Sequence, residues 1–152
     1  MSPPSPIPDE CIEEVNHPRV TVRAHGRSAT FLNSSRVAIK KIDVDCWLPV
    51  TTGPKSDYLL CKSGIVDVIV ELKGKDIDHA IEQILATLKQ WKSMGHCSPK
   101  TGALVVFTRS PKRSAVLDND KLKLLTKHGI WLEMDKTGLR DYQFETFIGA
   151  RR

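Results

Sequence analysis

Apolar and polar residues fall into a few recognisable patterns along the chain, and these set the expected elements. The most apolar stretch is residues 66–74, Val-Asp-Val-Ile-Val-Glu-Leu-Lys-Gly. Side chains alternate faces along a strand, so Glu71 and Lys73 share one face while Val66, Val68, Val70 and Leu72 take the other. The two charged residues stand about 7 Å apart at their Cα atoms. Residues 58–61, Tyr-Leu-Leu-Cys, precede a turn near Ser63 and Gly64, so residues 57–73 read as a β-hairpin. A two-residue turn would set Asp57 opposite Val70, on the wrong face to meet Glu71. A longer turn or a bulge reverses that parity, and the sequence leaves both open.

Helical spacing follows. Asp76 is placed as an N-cap, and Ile77, Ala80, Ile81, Ile84, Leu85, Leu88 and Trp91 form one stripe. The helix is expected to run to about Met94 and stop at Gly95. Gln83 and Thr87 lie on the flank of the stripe, a polar pair able to reach the end of the preceding strand. Residues 102–108 form a short continuous apolar run, the pattern of a strand covered on both faces. Strand, helix and strand in this order imply a crossover to a parallel neighbour. Residues 37–48 read as a further strand, residues 9–15 as a short helix capped by Asp9, and residues 19–24 as a short strand. Turns are expected at Gly26-Arg27-Ser28 and Asn33-Ser34-Ser35. Asp118 or Asn119 caps a later helix bearing Leu122, Leu124 and Leu125, and residues 130–134 and 142–148 read as closing strands. Residues 1–8 are too rich in proline for regular structure and are expected to be a disordered arm, leaving residues 9–152 as a single α/β domain.

Composition narrows the class. Of 152 residues, 40% are hydrophobic and 27% charged, an ordinary balance for a water-soluble globular chain. No apolar run approaches the roughly eighteen residues of a membrane span, and the start of the chain lacks the basic and apolar pattern of a signal peptide. The expectation is a cytoplasmic protein without a membrane partner. The four cysteines, Cys11, Cys46, Cys61 and Cys97, show no Cys-x-x-Cys spacing, and His96-Cys97 has no second pair to complete a zinc site. Reduced structural thiols are therefore expected. Trp47, Trp91 and Trp131 read as core residues, His79 and His96 as surface residues, and Asp43 and Asp45 as solvated.

A formal net charge of +5 suits a polyanionic partner, nucleic acid first among them. Lys40, Lys41, Lys55, Lys75, Arg109, Lys112 and Arg113 flank the expected strand ends and could contact phosphates. No base-reading element is evident, which implies little sequence preference.

Asp57, Glu71 fourteen residues on and Lys73 two beyond, on a hairpin feeding an amphipathic helix, resemble the PD-(D/E)xK superfamily. These restriction-endonuclease-like nucleases include small Holliday-junction resolvases. The resemblance covers residues 36–109 and implies a mixed central β-sheet flanked by helices. It also implies a Mg²⁺- or Mn²⁺-dependent nuclease acting on DNA. Asp57, Glu71 and the backbone carbonyl of Leu72 would hold the cation, Lys73 would orient or deprotonate the attacking water, and Gln83 would reach the site from the helix. The physical case agrees, because a hard cation held by carboxylates neutralises a phosphate oxygen and activates water. Many members add an acidic residue from an N-terminal helix. Residues 27–42 contain no Asp or Glu, so Glu10, Glu13 or Glu14 would have to supply it, Glu14 being preferred. The alternative is a nuclease-like domain that binds nucleic acid or a protein partner without cutting. A further alternative treats Asp57 as a turn residue and Glu71 and Lys73 as a solvated strand end. Members of this type often dimerise, so a homodimer stays open, although no interface signal marks one.

Overall fold

One strand is buried on both faces, and the other elements cover those faces. The computed structural model describes residues 7–48, 53–74, 77–95, 97–107, 123, 126–135, 141–145 and 147. A 3-10 turn, Asp9–Cys11, leads into β1 (Ile12–Val15), and β2 (Arg19–Ala24) and β3 (Arg27–Leu32) form a hairpin. β4 (Ile39–Asp43) is followed by a single helical turn, α1 (Val44–Trp47). β5 (Tyr58–Lys62) and β6 (Val66–Gly74) form the expected hairpin, and α2 (Ile77–Ser93) leads to β7 (Lys100–Phe107), β8 (Ile130–Asp135) and β9 (Asp141–Gln143).

Six strands make the main sheet in the order β1-β4-β5-β6-β7-β8. β1, β4, β5 and β6 are antiparallel neighbours, whereas β6, β7 and β8 run parallel. β6 is central, and every residue from Val66 to Leu72 is buried. On one face Leu59, Cys61, Ile69, Ala103 and Val105 pack against the α2 stripe of Ala80, Ile84, Leu88 and Trp91. On the other, Leu60, Val66, Val68, Val70, Leu72, Leu104 and Val106 pack against a second sheet of order β2-β3-β9, through Val20, Val22, Phe31, Tyr142 and Phe144.

This second sheet corrects the expectation of helices on both faces of one sheet. Among the described residues α2, with the single turn α1 at its edge, covers the first face, and three short strands cover the other. β9 pairs parallel with β3, not with the main sheet. It is three residues long because Tyr142, Phe144 and Phe147 turn in to cluster around the Phe31 ring. Arg27 and Ser28, read as a turn, open β3, and the turn itself is His25-Gly26. Both of these residues have positive φ, as a two-residue hairpin turn requires.

Residues 9–15 are not a helix. After the 3-10 turn the chain extends as β1, which pairs with β4 and sets Ile12 opposite Ile42. The strand expected over residues 37–48 ends early, because the Asp43 carboxylate accepts the Cys46 N–H at 3.3 Å and caps α1. These two corrections bring Cys11 and Cys46, 35 residues apart in sequence, to a Cα separation of 5.4 Å, and they form a disulfide. The expectation of reduced thiols therefore fails for this pair, while Cys61 and Cys97 are free. The helix expected after Asp118 and Asn119 and the N-terminal arm lie largely outside the described residues. No helix among those described is long and apolar enough to cross a membrane.

The two sheets are joined by Lys62, fully buried at the end of β5. Its ammonium donates to Asn33 Oδ1 at 2.7 Å, Ser35 Oγ at 3.0 Å and Glu145 Oε1 at 2.7 Å. All three donors are used, which is what allows an ammonium to be buried. The bonds from Lys62 and Ser35 hold the Glu145 carboxyl below its usual range. Its stabilising contribution is therefore present at neutral pH and fades as the pH falls through the lowered folded value. Glu145→Ala should cost about 1–2 kcal/mol at neutral pH, at the lower end for a charged bond because this carboxylate is partly solvated. Urea unfolding should show the gap to the parent narrowing below about pH 4 as the parent's own Glu145 protonates.

Candidate functional site

The hairpin register decides what Asp57 meets. Lys62 pairs with Val66 and Tyr58 with Val70, so the turn contains three residues, Ser63-Gly64-Ile65. The Ile65 N–H closes it on the Lys62 carbonyl at 2.9 Å, and Gly64 takes φ +76° at a position that disfavours other residues. One residue more than the minimal turn shifts the pairing by one. Asp57 and Glu71 become the next opposed pair beyond the ladder, on the face that bears Leu59 and Ile69. The two carboxylates thus converge, and the Asp57 charge perturbs the ionisation of Glu71.

Several bonds fix Asp57. Its N–H donates to the Val70 carbonyl at 3.1 Å, and its carbonyl accepts from the Val44 N–H of α1 at 3.1 Å. Asp57 Oδ2 accepts the Leu72 N–H at 2.7 Å, continuing the ladder through a side chain. Asp57 Oδ1 lies 3.1 Å from Nε2 of His25, at the tip of the β2–β3 hairpin. That tip is held a second time by the Tyr58 hydroxyl, which donates to the Arg23 carbonyl at 2.9 Å. Burial raises the Asp57 pKa, while the Leu72 N–H and His25 pull it back.

Glu71 is less well served. It is 7% exposed, and its Oε1 is buried without a hydrogen-bond partner among the described residues. Burial, then the Asp57 charge, pushes its pKa up to about 8, against a smaller opposite pull from Gln83. Burial and the neighbouring Asp57 charge thus favour the protonated form of Glu71.

The polar flank of α2 packs where the sequence placed it. Gln83 Nε2 donates to the Lys55 carbonyl at 3.0 Å, and the buried Thr87 Oγ1 accepts the Ser56 N–H at 2.8 Å. These bonds pin the segment leading into Asp57. Lys55 itself donates to the Leu48 carbonyl at 2.9 Å and lies 3.4 Å from Asp45.

Asp57, Glu71 and Gln83 are thus brought together. Lys73 lies on β6 at the point where the pairing with β7 slips, between Leu72 and Gly74. Its side chain, and Lys75, Arg109, Lys112 and Arg113, lie outside what the structure describes. Glu14 is not in the cluster. It is exposed on the edge strand β1, opposite Lys40, which pairs in turn with Cys61 four residues along β5 from Asp57. Lys40 is exposed, whereas the Lys41 ammonium is engaged by the Thr21 carbonyl at 2.8 Å, Glu13 at 3.7 Å and the Tyr58 ring at 5.7 Å. His25 and Thr87 complete the surroundings. Thr87 was legible from its helical flank, but nothing local marked His25.

Two carboxylates with a buried unpaired oxygen are hard donors of the kind Mg²⁺ or Mn²⁺ prefers. The Leu72 carbonyl should face the same neighbour as its N–H, by the geometry of an antiparallel ladder. Among the described residues no three His, Cys, Asp or Glu side chains gather as a ready cation cage. A hexacoordinate cation here would complete its shell with water or phosphate oxygens, as Mg²⁺ commonly does. No family model, curated protein or solved structure matches the chain.

Because the folded pKa of Glu71 is raised, the folded state binds more protons than the unfolded chain between their two values, 4.5 and about 8. Stability from this group is thus fully present below pH 4.5 and is lost as the pH rises towards 8. With EDTA present, Glu71→Gln should flatten this fall and be more stable than the parent at pH 8.5. Urea titrations at pH 5.5 and 8.5 check it, and a parent equally stable at both values would contradict the assignment.

Proposed function

We propose that the Asp57–Glu71 pair binds a divalent cation and that the protein is a Mg²⁺- or Mn²⁺-dependent nuclease, acting on DNA with little sequence preference. The observation that carries this reading is the Glu71 carboxylate, buried beside Asp57 with one oxygen, Oε1, that finds no hydrogen-bond partner among the described residues. Such a pair is unfavourable alone and becomes favourable when a cation replaces the shared proton. Asp57 and Glu71 would hold the ion, with the Leu72 carbonyl beside them. When bound, it would supply charge neutralisation at a phosphate oxygen and a more acidic water.

The protein's own groups supply the rest. His25 and the Leu72 N–H favour the ionised form of Asp57 against its burial and fix its orientation. Gln83 favours the ionised form of Glu71 while anchoring the segment before Asp57. Lys73, two residues beyond Glu71, would orient or deprotonate the attacking water. The arrangement of β4, β5 and β6 as an antiparallel meander, with α2 crossing to the parallel β7, supports the restriction-endonuclease-like reading. Lys40 and the basic residues 75, 109, 112 and 113 would contact the phosphodiester backbone.

One observation favours the alternative of a domain that binds without cutting. Only two carboxylates converge among the described residues, with Glu14 far along the edge strand. Cleavage assays on single-stranded, duplex and branched DNA and on RNA, with Mg²⁺, Mn²⁺ or EDTA, separate the two readings. A nuclease should cut only with metal and lose roughly a hundredfold or more in rate in Glu71→Ala and Lys73→Ala, as several kcal/mol of lost transition-state stabilisation implies. No cutting on any substrate, with nucleic-acid binding unchanged in Glu71→Ala, would establish the binding domain instead.

A further inference from the structure

At the opposite end of the β5–β6 hairpin from the carboxylates, the face covered by α2 is incompletely filled. A cavity of about 220 Å³ opens between the N-terminal segment, β4, β5 and the end of α2. Ile7, Ile12, Ile42, Cys61, Trp91 and Met94 line it together with Lys40 and Ser63, so that apolar side chains and polar atoms share its surface about equally. Ile42, Cys61 and Trp91 are buried, whereas Lys40 and Ser63 are exposed, so the polar groups lie at the mouth. Cys61 is four residues from Asp57 along β5, which separates the cavity from the carboxylate pair by roughly 13 Å.

We propose that this cavity binds a small amphipathic monocarboxylate, its apolar body against Trp91 and Ile42 and its carboxylate at the Lys40 ammonium. Size supports this, since an apolar cavity of about 150 Å³ accommodates benzene, and the larger volume here suits a ligand of about ten heavy atoms. Charge supports it too. Among the described residues Lys40 is the one charged residue lining the cavity, and no acidic side chain lines it. Glu14, the ladder partner of Lys40, forms no ion pair with it and does not line the chamber.

The walls are already rigid. Trp91 Nε1 donates to Asp67 Oδ2 at 2.8 Å, and Asp67 also accepts from the Ser98 N–H and hydroxyl, both at 2.7 Å. The indole is therefore fixed before any ligand arrives, which limits the ordering cost of binding. On the other side, the Cys11–Cys46 disulfide holds the segment between Ile7 and Ile12 against α1. The Cys61 thiol contributes packing and not reactivity, since burial pushes its pKa up to about 12.

Octanoate, octanol and inorganic phosphate are the probes, titrated into the full chain by calorimetry and by ¹H–¹⁵N NMR of the Trp91 indole N–H, assigned through Trp91→Phe. Octanoate should bind saturably, with a Kd on the order of 100 µM for a ligand of this size, and move the Trp91 resonance. Lys40→Gln should weaken octanoate about tenfold, as loss of a charge-assisted bond does, and leave octanol unchanged. Met94→Trp, which fills the chamber, should weaken both. Absence of octanoate binding, equal octanoate affinity in parent and Lys40→Gln, or phosphate competing as strongly as octanoate would each overturn the proposal. None of these outcomes depends on nuclease activity.

Discussion

Burial of β6 on both faces is the constraint from which the site follows. A strand covered by α2 on one side and by the second sheet on the other has no room for an unsatisfied charge, yet β6 carries two carboxylates on the same face, Asp67 and Glu71. The chain treats them differently. Asp67 accepts three hydrogen bonds, from Trp91 and from two donors of Ser98. Those bonds offset its desolvation and tie the segment after α2 back to the sheet. Glu71, four residues away, keeps an oxygen without a partner among the described residues. The contrast separates an acidic residue that completes the fold from one whose chemistry the fold leaves open.

The turn at Ser63-Gly64-Ile65 gives that contrast its direction. Had the hairpin closed in two residues, Asp57 would have faced the apolar layer of Phe31 and Tyr142, and Glu71 would have stood alone. The additional residue puts both carboxylates beneath α2, where Gln83 and Thr87 occupy the polar flank of the helix. A one-residue change in a surface turn thus controls the electrostatics of a pair at the far end of the strands.

Much of this was legible because periodicity reports burial directly. The hairpin, the α2 stripe, the covered strand β7 and the parallel step from β6 to β7 all follow from patterns of two and 3.6 residues. The apposition of Asp57 and Glu71 was legible only as a parity question, since one residue of turn length reverses it. The second sheet was missed because its strands are short and polar at their edges, and because β9 draws its stability from aromatic packing on Phe31. β1 was mistaken for a helix because three glutamates resemble a helix first turn; pairing with β4 outweighs that local preference. The Cys11–Cys46 bond and the His25–Asp57 contact join residues 35 and 32 apart, and no local signal marks either.

The candidate site lies where three layers meet, and each contributes a restraint. The main sheet supplies Asp57 and Glu71, α2 supplies Gln83 and Thr87, and the second sheet supplies His25 from a turn in which a residue other than glycine adopts φ +56°. Left-handed backbone at a non-glycine residue is unfavourable by about 1–2 kcal/mol, and a buried carboxyl oxygen without a partner adds a further cost. Neither persists unless the surrounding packing over-determines it. Here the packing does so through the saturated Lys62 cluster, which fixes the second sheet on the first, and through the two bonds that hold the β2–β3 tip beside Asp57. Rigidity built up elsewhere in the molecule is therefore what allows Glu71 to remain incompletely satisfied.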